Sequence, residues 1–119
     1  MAVTYATAVK TDRITATRDY FANGTLEIQE SDGTVLVTFG LSASGGSIAT
    51  DTWTLVFDAD TVTAGASGTA AKAVIKEGGG SADLTGLTVG TSGTDIIVDN
   101  TSINVGQDVT ISSATIQHA

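Results

Sequence analysis

Residues 93–111 read GTDIIVDNTSINVGQDVTI, which sets Asp95, Asp99 and Asp108, with Asn100, Asn104 and Gln107, among regularly spaced Ile and Val. Carboxylates and amides at this density raise one chemistry first, oxygen coordination of a divalent cation. A calcium loop brings such ligands together from closely spaced positions of one tight loop, and the spacing here does not supply them. Alternation instead points Ile96 and Val98 to one side of a strand and Ile97 and Asp99 to the other, and Val109 and Ile111 resume it after Gly106. The three aspartates are therefore expected at strand ends or on a solvent face, as turn residues.

The remaining carboxylate clusters are weaker still. Asp58 and Asp60 in FDADT could chelate a divalent ion at a loop end, but a solvated loop is the simpler expectation. GGGSADLTG is similar to a calcium-binding nonapeptide repeat, except that Ser81 replaces a required glycine, Thr85 an apolar residue, and a single copy has nothing to stack on. Asp83 is read as a turn residue. The sole histidine, His118, lies next to a chain end, a poor place from which to orient a serine and a carboxylate as a triad. Paired carboxylates for glycoside hydrolysis would need a groove with sugar-stacking aromatics, and one Trp and two Tyr supply few. ASGGS and EGGGS lack the Lys-Ser/Thr that follows a phosphate loop and read as exposed loops. No catalytic residue, cofactor or metal ligand is assigned, and an enzyme is the last expectation.

The elements that would position these residues change period once. From Thr4 to Ala22, Tyr5, Val9, Ala16 and Tyr20 recur at helical spacing, and Asn23-Gly24 supplies the stop, because both tolerate the left-handed conformation that ends helices. The other face of this helix would carry Lys10, Arg13 and Arg18, three of the five cations. From Thr25 the period is two. TLEIQ and TVLVTFGL form a hairpin around ESDG, SASGGSIATD is a loop, and TWTLVF is the aromatic anchor of the core. DADTVTAGASG returns to loop composition; TAAKAVIK, LTGLTV, DIIVD and DVTISSATIQ are the later strands. About seven or eight short strands with frequent turns point to a mainly β fold, a β-sandwich of jelly-roll or immunoglobulin-like type, antiparallel, with a short N-terminal helix. One domain over 1–119 is expected, a helical segment 1–23 followed by the sandwich 24–119. Its core should hold Leu26, Ile28, Leu36, Trp53, Leu55, Val74, Ile96, Val98, Val109 and Ile111.

Composition narrows the function classes. Thirteen acidic against five basic residues give a net charge of -8, which repels phosphate backbones and anionic headgroups, so neither nucleic acid nor a membrane surface is an expected partner. Cysteine is absent, which removes disulfides, thiolate metal sites and thiol nucleophiles. Neither a basic-then-apolar leader nor an apolar run of about 18 residues is present, so a protein without an export signal or membrane span is expected.

TYATAVKTDRITATRDYF followed by NGTLEI, then TLVF, SGTAAKAVI and GLTVGTSGTDIIVDNTSINVGQDVTISSATIQHA together resemble small structural proteins of tailed-bacteriophage virions. The glycine-rich insertion often seen in such proteins between helix and first strand is here only ANG. The resemblance implies a virion component made in the bacterial host cytoplasm, foremost a capsid decoration or cement protein on the capsid surface. Its implied partners are the major capsid protein and further copies of itself, a trimer being favoured. A head-to-tail connector or tail-tube component is the alternative, and a carbohydrate-binding or adhesive virion module comes third. Lys10, Arg13 and Arg18 concentrate positive charge on an otherwise acidic chain and are expected to meet an acidic patch on the capsid or a neighbouring subunit, with Tyr5, Tyr20 and Phe21 as apolar anchors, since buried aromatics carry a disproportionate share of binding energy. The competing expectation is that the aromatics only pin the helix to the β-domain.

Overall fold

The computed structural model describes residues 5–78 and 83–117. It opens with helix α1, Thr7–Phe21. Threonine is an indifferent helix former, and here Thr11, Thr15 and Thr17 turn their hydroxyls onto the carbonyls of Thr7, Thr11 and Arg13, at 3.0, 2.7 and 3.1 Å. The Asn-Gly stop is where the sequence places it. Asn23 takes a left-handed φ of 63°, and the Gly24 N–H bonds the Phe21 carbonyl at 2.9 Å. A Cβ on Gly24 would lie 2.0 Å from the Lys76 carbonyl oxygen, so this joint between helix and sheet admits only glycine.

The aromatics divide between the two expectations, the tyrosines facing outward and Phe21 pinning the helix. Ile14 and Phe21, two turns apart, enter the core, while Tyr5, Val9, Ala16 and Tyr20 face solvent. Four-residue spacing detects a stripe but not its direction; Ile14 and Phe21 lie on the opposite side and join the core cluster.

Ten strands follow: β1 Thr25–Gln29, β2 Val35–Ala49, β3 Thr52–Phe57, β4 Thr61–Thr63, β5 Gly68–Thr69, β6 Lys72–Lys76, β7 Asp83–Gly90, β8 Ile96–Val98, β9 Ser102–Ile103 and β10 Asp108–Gln117. Seven of them run β3-β2-β1-β6-β7-β8-β10, and β10 then pairs back to β3, so the sheet closes into a barrel rather than dividing into two facing sheets of a sandwich. Closure follows from two irregularities that alternation cannot show. SASGGSIATD does not form a loop. It carries β2 on to Ala49, bent at a break in register between Leu41 and Gly46, where Gly45 and Gly46 have φ of 75° and 122°. A second break between Ile111 and Ser113 lets β10 pair first with β4 and then, through Thr115–Gln117, with β3. DADTVTAGASG likewise holds β4 and the first residue of β5, the latter strand pairing with β9 in a separate ribbon.

One pair departs from the antiparallel expectation. Val89 and Gly90 of β7 lie beside Ile96 and Ile97 in parallel register. Only residues 91–95 connect the two strands, although parallel neighbours ordinarily need a crossover of about a dozen residues or more. Asp95 holds this short reversal, as described below.

All ten expected core residues are buried. Val74 is the exception in kind. It is covered but lies outside the main cluster, because its neighbours Ala73 and Ile75 take the inward positions of β6. Phe39 and Phe57, with ring centroids 5.8 Å apart, extend the interior beside Trp53. Glu27 on β1 accepts bonds from Lys76 at 3.4 Å and from the buried Gln29 amide at 3.1 Å.

Candidate functional site

The three aspartates of the acidic stretch are structural. Both the backbone N–H and the hydroxyl of Thr88 bond Asp95 Oδ2, at 3.0 and 3.2 Å, and the Asp95 N–H returns a bond to that hydroxyl at 3.0 Å. This clasp closes the turn between the parallel strands, and the Asp95 carbonyl also takes the Thr115 N–H at 3.0 Å. Asp99 exchanges bonds with the Thr110 backbone, its N–H giving to the carbonyl at 3.1 Å and its Oδ1 accepting at 3.2 Å. Asp108 Oδ1 accepts from the Thr63 hydroxyl at 3.0 Å. The Asn100 and Gln107 side chains take the N–H groups of Ser102 and Asn104, at 2.9 and 3.0 Å. Asn100 and Gln107 thus serve their own turns and the three aspartates tie neighbouring strands, and among the described residues no three His, Cys, Asp or Glu side chains converge on a point. Ser81 and His118 fall outside the described residues, and Asp83 begins β7.

The N-terminal helix divides the expected contact residues into two sets. Phe21 is a core residue, and Arg18 lies against the bulge of β2, bonding the Gly46 carbonyl at 3.4 Å and pairing with Asp19 at 3.1 Å. Both hold the helix down. The bulge beneath has no room for side chains: a Cβ on Gly45 would meet Arg18 Cγ at 3.0 Å, and the Gly45 carbonyl takes the buried Trp53 indole N–H at 2.9 Å. At the other end Thr11 bonds the carbonyl of Thr50, a β-branched residue held at φ 58° in the two-residue β2–β3 turn. Lys10 is half-buried on the helix flank.

Arg13, Tyr5 and Tyr20 make the second set. Positions 9, 13, 16 and 20 share one helical stripe, so Arg13 lies with Val9 and Tyr20 and not on the face expected for it; these four and Tyr5, which precedes the helix, are all exposed, Tyr20 at 57% and Val9 at 43%. The Arg13 guanidinium stacks 4.6 Å from the centre of the Tyr5 ring, and the Tyr20 ring stands edge-on to Phe21 with centroids 5.2 Å apart. The stripe is thus an outward apolar face with one cation at its centre, spaced and braced from below by buried residues.

A cleft of about 300 Å³ opens in the barrel wall where β3 and β10 part. The two strands pair only at Thr52–Thr54, so Leu55, Val56 and Phe57 have β2 on one side and no strand of the described residues on the other. Asp60 and Ile111–Ala114 complete its lining. Val56 is 46% exposed, and Asp58 and Asp60 lie at the surface beside it. Sequence reading missed this opening because it depends on the β10 register break, which the apolar alternation of DVTISSATIQ passes over. No protein-family model, curated protein or solved structure matches the chain.

Proposed function

We propose that the protein is a non-enzymatic structural component of a bacteriophage virion, a decoration or cement protein that binds the head shell as a homo-oligomer, a trimer being favoured, with the major capsid protein as its partner. The exposed helical stripe of Val9, Arg13, Ala16 and Tyr20, with Tyr5 just before it, carries this reading. A solitary domain gains nothing from presenting two tyrosines and a valine to water on a helix already anchored through Ile14 and Phe21, whereas a contact face gains from rigid aromatics around an arginine. The likeness of four stretches of the sequence to small virion proteins supplies the biological setting. A glycan-binding module is less well supported, since Trp53 is buried and its indole N–H is engaged within the fold.

The test is occupancy on bare capsids. Arg13→Ala and Tyr20→Ala should stay folded in a thermal melt, because both side chains lie on the exposed face, and should lower occupancy. Wild-type binding should weaken as salt screens the arginine over about 8 to 10 Å. Copies per particle separate a shell protein, present in hundreds, from a connector or tail component, present in multiples of six or twelve. Unchanged occupancy for both variants would remove the helix from the interface.

A further inference from the structure

The charge of this chain is divided unevenly between its two parts. Residues 1–23 carry Lys10, Arg13 and Arg18 against Asp12 and Asp19, a net +1; the rest of the chain has Lys72 and Lys76 against eleven acids, a net -9. Of those two lysines Lys76 is paired with Glu27, and neither lines the β3–β10 cleft, whose one charged lining residue is Asp60. Two copies meeting barrel to barrel would bring like charge together, while a helix meeting a barrel joins opposite signs.

We propose that the occupant of the β3–β10 cleft is the helical stripe of a second copy of this chain. Tyr20, the most exposed aromatic of that stripe, enters between Leu55–Phe57 and Ile111–Ala114, a lining of mixed polarity that offers Val56 to its ring and Asp60, Ser112 or Ser113 to its hydroxyl. Arg13, two turns away on the same face, meets the Asp60 carboxylate at the rim. The cleft volume sits at the lower bound of about 300 to 1,000 Å³ for small-molecule pockets, room for one large side chain. Helix and cleft are different surfaces, so the contact is heterologous, and repetition closes it into a ring or extends it. This names the partner of the helical face and rests on the reading of that face as a binding surface.

The test needs only the purified chain. Sedimentation velocity over a range of protein concentrations should show self-association that weakens with added salt. Arg13→Glu and Asp60→Lys, each at an exposed position and each checked by thermal melting, should separately weaken it about tenfold or more. The double variant, Arg13→Glu with Asp60→Lys, should recover most of the loss, and Tyr20→Ala should weaken association at every salt concentration. A chain that stays monomeric at all concentrations, or a double variant weaker than both single ones, overturns the proposal. If the chain is monomeric and Arg13→Ala still lowers occupancy on bare capsids, this pairing is wrong and the shell-binding reading stands.

Discussion

Strand β3 has two halves in opposite situations. Thr52–Thr54 pairs on both sides, with β2 and with β10, and Trp53 between them is sealed under a bulge that the helix covers. Leu55–Phe57 pairs on one side only and borders an open cleft. The alternation T-W-T-L-V-F runs through both halves without a change. What separates them is the partner strand, because β10 reaches β3 only after its register break. Burial of alternate side chains and completion of the backbone ladder are therefore independent properties of a strand, and the sequence pattern reports only the first.

The covered half should be the sensitive one. Trp53→Ala removes the largest fully buried side chain and leaves the Gly45 carbonyl without its indole donor, so unfolding free energy should fall by about 3–5 kcal/mol in denaturant titration. A smaller loss would mean that the helix and bulge settle into the space. Gly46→Ala is next. Its Cβ would lie 2.0 Å from the Thr54 carbonyl oxygen at a φ of 122°, and a cost of about 3 kcal/mol is expected, with the β2–β3 pairing weakened in hydrogen exchange.

The open half should hardly respond. Val56→Thr, at an outward position, should stay within about 0.5 kcal/mol of wild type, and a loss of 2 kcal/mol, about four times that, would show the cleft to be closed in solution. Asp32, in the β1–β2 turn away from both halves, provides the smallest effect and a control. The Thr34 N–H bonds its Oδ1 at 3.0 Å and, with the Thr34 hydroxyl, holds its carboxyl below the ordinary value of 3.8. A depressed carboxylate contributes stability above its unfolded pKa and loses it as pH falls through the folded one. Asp32→Ala should therefore melt slightly below wild type at neutral pH, and the difference should vanish in acid.

Much of the interior was legible. Leu26, Ile28, Trp53, Leu55, Ile96, Val98, Val109 and Ile111 sit at the inward positions that a period of two marks out. Asn23-Gly24 marked the helix end because its physics is local, a left-handed residue followed by one without a side chain. Where distant segments decide the outcome, sequence reading failed. SASGGSIATD has the composition of a loop, yet its glycines allow β2 to bend while keeping β3 in register, and they make room for Arg18 above and the Trp53 indole below. Val74 is buried as expected but outside the main cluster, while Ala73, too small to draw notice, takes an inward site of β6. Of the candidate contact set, Phe21 and Arg18 differ from Tyr20 and Arg13 only in the side of the helix they occupy, and no property of a short Thr-rich helix announces which side meets a barrel.

The pairing of Thr52–Thr54 with Thr115–Gln117 has a consequence for the order of folding. It joins segments some 60 residues apart in the chain, and contacts of such separation slow folding because the long intervening loop must be ordered first. On the ribosome the restriction is absolute, for the ring lacks its closing stave until residue 117 has been made and released from the exit tunnel. Until then the β1–β2–β3 and β1–β6 pairings can form, but β3 retains an unpaired edge along its whole length, where two nascent chains on one message could join strand to strand. Delayed release of the last strand should therefore favour aggregates, while slow translation of the earlier strands should be harmless.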